Sequence, residues 1–215
     1  MSAVVVDLAG DLEWGEFEIP DSTVPVALAT LNVEPTRART VLVRFPAGWE
    51  RPGMGWYTCA EEMVVLDGTL EMNGNAFGAG DWGYVPAGLV RVDSLARTEV
   101  LVVARFDGPA RWTSGYPGEG KPNGRSPLRR TLEPGASEVD SPFGAGRAWR
   151  LRRGSADTAW LLDAPPADRP APCEAELLAL GSRTWALVPA GEAPPRLEGL
   201  CFCRTVSANA DQEEP

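Results

Sequence analysis

Two stretches of this 215-residue chain decide its fold, GWERPGMGWYTCAEEMVVLDG at residues 48–68 and GDWGYVPAGLVR at residues 80–91. Each opens at a glycine and contains a short run typical of a β-strand, and Asp67-Gly68 is a strong hairpin signal. We find no long helical period, so the sequence predicts an all-β fold. Further β-branched or alternating runs lie at 26–33, 39–45, 62–66, 69–73, 81–85 and 98–106 in the first half, and at 148–152, 158–162, 174–180, 183–188 and 200–206 in the second.

The spacing of these two stretches resembles the two motifs of the cupin superfamily, G-x5-H-x-H-x4-E-x6-G and G-x5-P-x-G-x2-H. The motif glycines, the proline and Glu61 are kept, but Met54, Trp56 and Arg91 stand at the three histidine positions. The whole chain contains no histidine. The resemblance implies a jelly-roll β-barrel that keeps its pocket and lacks the usual metal site, so we expect neither a metal nor another cofactor.

The second half of the chain repeats features of the first. The tetrapeptide Val-Pro-Ala-Gly occurs at 85–88 and again at 188–191, each time after a strand pattern that contains Trp. This repeat indicates a tandem (bicupin) arrangement in which the second barrel is shorter, degenerate and able to borrow strands from the N-terminal region or the connector. The expected parts are a cupin barrel with the pocket at 1–108, a Gly/Pro-rich connector at 109–146, a second, degenerate cupin-like barrel at 147–206 and a disordered tail at 207–215.

Composition narrows the range of partners. A net charge of −10 argues against nucleic acid, because a nucleic-acid binder needs a basic surface. No stretch approaches the roughly 20 apolar residues of a membrane span, and the first 15 residues lack a basic region typical of a signal peptide. We therefore expect a cytoplasmic protein with reduced cysteines and a small-molecule ligand. The family resemblance implies a homodimer that forms through exposed strands.

The charged residues of the two motifs are the main candidates for chemistry. Transition-metal sites normally need imidazole beside the carboxylate, so we infer that Arg91 supplies the positive charge in place of a metal ion. Arg91 and Asp93 are two apart and share a strand face. The resemblance implies that these residues and Glu61 converge at the mouth of the barrel, where Arg91 would pair with Glu61, Asp93 or both. Two interpretations of Arg91 stay open: a structural ion pair, or a bidentate contact to a substrate carboxylate, phosphate or enolate.

Other residues complete the candidate site. Glu61 is a candidate general acid or base, or a scaffold residue only, and Tyr57 is a proton donor if its strand turns it inward. Trp56 would stack on a substrate and Met54 would fill space beside it. Arg44 either lines the pocket or lies at a solvated edge.

These residues favour a metal-independent cupin that acts on a small organic metabolite by acid–base chemistry, in a pathway such as specialised biosynthesis. Isomerisation, cyclisation, epimerisation and dehydration are the candidate reactions, which would make the chain an isomerase, cyclase or lyase. The alternative is a non-catalytic small-molecule-binding or structural cupin. A metal-dependent dioxygenase or isomerase is the third hypothesis, and the missing histidines argue against it.

Overall fold

The computed structural model describes residues 2–115, 127–135, 137–154 and 157–206. These residues form strands, turns and bends without a helix, which confirms the all-β prediction. They divide into two compact units, the central unit (residues 12–131) and the terminal unit (residues 2–11 and 132–206). The expected tail at 207–215 lies outside the described residues. Within the described part of the chain, no helix has the length and apolar character needed to span a membrane.

The described residues of the two units contain nineteen strands. In chain order they are β1 (Val4–Asp7), β2 (Gly15–Phe17), β3 (Val26–Val33), β4 (Arg39–Phe45), β5 (Trp49–Tyr57), β6 (Glu61–Asp67), β7 (Thr69–Met72), β8 (Asn75–Gly78), β9 (Asp81–Val85), β10 (Arg91–Ala96), β11 (Val100–Phe106), β12 (Trp112–Ser114), β13 (Leu128–Thr131), β14 (Val139–Asp140), β15 (Arg147–Arg153), β16 (Asp157–Asp163), β17 (Ala175–Ala179), β18 (Thr184–Val188) and β19 (Leu200–Val206).

Two antiparallel sheets enclose the core of the central unit. The seven-stranded sheet has the order β13-β9-β6-β11-β4-β3-β2, and the five-stranded sheet has the order β12-β5-β10-β7-β8. Along β4, Val41, Val43 and Phe45 join one hydrophobic cluster, as the two-residue period of a strand requires. Trp49 and Leu70 of the five-stranded sheet belong to the same cluster. Any polar side chain that projects between the sheets is therefore held in an apolar setting.

A single seven-stranded sheet, β1-β18-β17-β19-β16-β15-β14, forms the terminal unit. Its inner strands β18-β17-β19-β16-β15 follow the same order as β9-β6-β11-β4-β3 of the central unit. The two Val-Pro-Ala-Gly copies follow β9 and β18, and Gly88 and Gly191 both have a positive φ, of 72° and 83°. Among the described residues, the terminal unit has no counterpart of the five-stranded sheet.

Short strands from distant parts of the chain cover the sheet edges. In the terminal unit β1 pairs with β18 and β14 pairs with β15, although β1 lies within 1–108 and β14 within the connector at 109–146. In the central unit, β12 and β13 of the connector pair with β5 and β9. An edge strand leaves a row of N–H and C=O groups unpaired, so these pairings satisfy backbone groups that the sequence pattern alone leaves without partners.

Candidate functional site

The central unit contains a cavity of about 140 Å³ between its two sheets. Since one water needs about 10–15 Å³ on a comparable scale, this space suits a small organic molecule. Most of the wall is hydrophobic, with contributions from β4, β6, β7 and β11. The polar side chains in the wall are Glu18, Arg39, Arg51, Tyr57, Glu61, Arg91 and Ser94.

A buried ion pair joins the two motifs at this cavity. Nη1 of Arg91, the first residue of β10, donates a hydrogen bond to Oε2 of Glu61, the first residue of β6. The two side chains are 5% and 12% exposed. The ring centroid of Tyr57 lies 4.7 Å from Cζ of Arg91. Nε of Arg91 is buried and has no hydrogen-bond partner within the described part of the chain.

A second guanidinium, that of Arg51 on β5, lies in the same wall with 5% of the residue exposed. Its Cζ is 4.0 Å from the ring centroid of Trp112. It donates long hydrogen bonds to two hydroxyls, Oη of Tyr57 at 3.4 Å and Oγ of Ser94 at 3.5 Å. No described carboxylate lies within ion-pair distance of it. Burial lowers the pKa of Arg51 below its ordinary value.

The inward face of β5 differs from the face that the motif spacing indicates. Tyr57 is buried in the cavity wall and Gly55 is buried beside it. Met54 is 42% exposed, Trp56 is half-buried, and neither lines the cavity. The strand is irregular at Gly53, whose φ of 96° departs from extended backbone. Trp49, Arg51, Gly55 and Tyr57 are nevertheless all buried and lie an even number of residues apart, so they share one face of β5. The structure therefore brings Tyr57 to the site and leaves Met54 and Trp56 on the opposite face.

An irregularity in the pairing of β10 with β5 separates Asp93 from Arg91. The pairing with β5 shifts between Val92 and Ser94, and Asp93 has a φ of 47°. Across this shift β10 advances by two residues while β5 advances by three, from Met54 to Arg51. Arg91 and Ser94 are both buried although they are three residues apart, so Ser94 rather than Asp93 shares the inward face with Arg91. Asp93 is exposed and does not line the cavity, so the ion pair of Arg91 is formed with Glu61 alone among the described residues.

Arg44 lies outside the cavity. Its neighbours Val43 and Phe45 on β4 line the cavity wall, so alternation turns Arg44 to the opposite face, where it is exposed. Its Cζ lies 4.3 Å from the ring centroid of Trp14. The structure therefore corresponds to the solvated alternative for this residue.

The segment 17–20 forms the part of the wall that meets solvent. Asp21, which follows it, accepts hydrogen bonds from Nε1 of Trp112 at 2.6 Å and from Oγ of Ser114. These hydrogen bonds, with that of Ser114 first and that of Trp112 second, lower the pKa of Asp21. Asp21 thus ties the segment at the cavity mouth to β12, the strand that carries the Trp112 ring against Arg51.

The donor set does not fit a divalent metal ion. Of the wall residues only Glu18 and Glu61 are carboxylates, and Glu61 is engaged by Arg91. The described residues contain no group of three or more His, Cys, Asp or Glu side chains suited to a metal. Two buried guanidiniums in the wall would also repel a cation. The thiol of Cys59 does not line the cavity, and burial raises its pKa to about 11.

Arg51, Ser94 and Trp112 belong to the site but are not identified as site residues by the motif analysis. Arg51 is two residues after the buried Trp49, and that alternation was an available signal. Ser94 depends on the irregularity in β10, and Trp112 depends on the pairing of β12 with β5. A sequence motif records only the spacing of residues along the chain, so it shows neither the irregularity in β10 nor the pairing of β12 with β5.

Comparisons with known proteins identify the fold. No family model and no curated protein matches the chain. A candidate dioxygenase from Nostoc punctiforme PCC 73102 is similar in structure, with a TM-score of 0.77 at 16% identity over 96% of this chain and 82% of that chain. The E. coli protein YlbA, of the DUF861 family, has a TM-score of 0.60 at 12% identity over 100% of this chain and 93% of that chain.

A third solved structure, a candidate glyoxylate-induced protein from Pseudomonas aeruginosa, has a TM-score of 0.59 at 10% identity, covering 100% of this chain and 91% of that chain. At such identities these likenesses show the fold alone. They confirm the predicted all-β, cupin-type jelly-roll fold.

Proposed function

We propose that the central unit binds a small organic metabolite and acts on it by metal-independent acid–base chemistry. The observation that carries this proposal is the buried pair of Glu61 and Arg91, which lies in the wall of an apolar cavity with the Tyr57 ring over the guanidinium. A titratable pair in the wall of a concave apolar pocket is a typical setting for proton transfer.

Each of the three polar groups has a role in such a reaction. Glu61 acts as the general base that takes a proton from a carbon or hydroxyl of the metabolite. Arg91 stabilises the negative charge that develops, and its unpartnered Nε–H supplies a free donor. Tyr57 or the protonated Glu61 returns a proton at another position. The proton count balances without an oxidant, which suits isomerisation, epimerisation, cyclisation or dehydration.

The charges of the wall support a reaction without a metal. Arg91 provides the positive charge next to Glu61 that a bound cation would otherwise provide. A guanidinium remains protonated at all physiological pH values, so this positive charge does not depend on the binding of a metal ion.

A second candidate is a binding protein without turnover, and the same ion pair favours it in one respect. Glu61 already accepts a hydrogen bond from Arg91, so this contact must loosen before the carboxylate can act as a base. In a binding protein, the pair would only neutralise two buried charges and shape the pocket.

Deuterium exchange distinguishes the two candidates. The protein is incubated in D2O with a panel of small keto acids, hydroxy acids and their neutral analogues, and NMR records the replacement of C–H by C–D. We expect exchange in at least one compound, a loss of about 100- to 10,000-fold in Glu61→Gln, and no effect of a metal chelator. Glu71→Gln is the matched control, since Glu71 lies outside the cavity wall.

Each other outcome has a defined meaning. Binding without exchange would identify a non-catalytic binding protein. Exchange that a chelator abolishes would identify a metal-dependent enzyme and would contradict the proposal.

A further inference from the structure

We infer that Arg51 is the anion-binding residue of this cavity and that the metabolite is a small monoanion, a carboxylate on a mainly apolar body. This inference rests on the proposed function and specifies its substrate class. It assigns to Arg51 a role distinct from that of Arg91.

The two buried arginines differ in their charge partners. Arg91 is neutralised by Glu61 through a direct ion pair. Arg51, which is equally buried, contacts only hydroxyls and aromatic rings among the described residues. A buried charge without an ion-pair partner is costly, and a ligand carboxylate would supply that partner. Burial lowers the pKa of Arg51, and the Glu61 carboxylate, which raises it, acts from beyond ion-pair distance.

The groups around Arg51 suit one carboxylate. The Trp112 ring covers a face of the guanidinium at 4.0 Å, which leaves its N–H edge available for a bidentate contact. The Tyr57 and Ser94 hydroxyls accept from Arg51, and each keeps its own hydrogen for donation. Arg51, Tyr57 and Ser94 thus provide hydrogen-bond donors in one part of the wall, and among the described residues no carboxylate forms an ion pair with Arg51.

The rest of the wall sets the charge and polarity of the ligand. Three arginines (Arg39, Arg51 and Arg91) and two glutamates (Glu18 and Glu61) leave the cavity with one net positive charge. The whole chain carries −10, so this local excess is opposite in sign to the protein as a whole. The remaining lining is mostly aliphatic and aromatic, which suits an apolar ligand body.

Paired probes test the inference on the wild-type protein. Benzoate and hexanoate are compared with benzamide and hexanamide by isothermal titration calorimetry. We expect the carboxylates to bind about 10- to 100-fold more tightly than the amides, since a hydrogen bond to a charged group is worth that much. Equal affinities, or tighter binding of the amides, would overturn the inference.

Variants then locate the effect. Arg51→Gln should reduce carboxylate affinity to that of the amide, Arg51→Lys should restore part of it, and Arg97→Gln, at an exposed arginine, should change nothing. Unchanged carboxylate affinity in a folded Arg51→Gln protein would also overturn the inference. If Arg51→Gln fails to fold, the wild-type comparison and Arg51→Lys still decide the outcome.

The results separate this inference from the proposed function. Equal binding of acid and amide together with Glu61-dependent deuterium exchange would leave the function standing and remove only the role of Arg51. If none of the four probes binds, the inference fails, while the deuterium-exchange panel still tests the function by itself.

Discussion

The indole of Trp112 lies against the backbone of Gly55, so that a Cβ atom on Gly55 would come within 2.3 Å of Cζ2 of Trp112. The same Cβ would lie 2.5 Å from the carbonyl oxygen of Thr113. A glycine on β5 is therefore the condition for the ring to lie against Arg51. The absence of a side chain at residue 55 is part of how this site is built.

We predict that Gly55→Ala destabilises the protein by about 1–3 kcal/mol, as overpacking usually does. It should also weaken binding of benzoate, because the indole must move away from Arg51. Urea unfolding measures the first effect and calorimetry the second. Gly78→Ala is the matched control, since a Cβ there meets nothing closer than 3.9 Å. Equal effects of the two substitutions would refute this account of Gly55.

Breaking the buried ion pair should cost more than removing it entirely. Arg91→Met leaves the Glu61 carboxylate without a counter-charge, and we expect a loss of about 3–5 kcal/mol in the free energy of unfolding. The double substitution Arg91→Met with Glu61→Met should cost less than Arg91→Met alone, because no unpaired buried charge remains. Chemical denaturation of both variants gives the comparison. A double variant as unstable as the sum of the two single ones would show that the pair is not coupled.

Asp21 should make the stability of the central unit depend on pH. Hydrogen bonds from Ser114 and Trp112 lower its pKa in the folded state below the ordinary value of 3.8. The contribution of Asp21 to the free energy of unfolding is therefore fully present above about pH 5. It is lost as the pH falls through the pKa that Asp21 has in the folded state. The difference in unfolding free energy between wild type and Asp21→Asn should shrink below about pH 4. A difference that stays constant from neutral to acid pH would argue against these hydrogen bonds.

The cysteines should be slow to react in the folded protein. Burial raises the pKa of Cys59 to about 11, raises that of Cys201 to about 12, and also raises that of Cys203. Cys173 is half-buried and its pKa is raised as well, but it is the most accessible of the four. Mass spectrometry after iodoacetamide treatment at about pH 8 should show Cys173 modified first, since the thiolate is the reactive form. Denatured protein, in which all four should react, is the control.

Much of the strand pattern could be read from local sequence. The predicted runs at 26–33 and 39–45 coincide with β3 and β4, and the run at 81–85 coincides with β9. These strands have β-branched or alternating residues whose pattern shows which face is buried. By contrast, β5 contains Pro52, Gly53 and Gly55, and its strand character depends on pairing with β10 and β12.

The sequence by itself determined the all-β class and most inner strands, because the hydrophobic period of a strand is a local property. The resemblance of the two motifs to those of cupins implied that Glu61 and Arg91 lie at one site. Only the tertiary structure decided which other side chains line the cavity with Glu61 and Arg91. The irregularity at Asp93 turned Ser94 inward and Asp93 outward. On β5, the cavity lies on the face of Trp49, Arg51 and Tyr57, and the motif positions Met54 and Trp56 lie on the other face. A one-residue shift reverses every side chain that follows it, and such a shift is set by pairing between strands that are far apart in the chain.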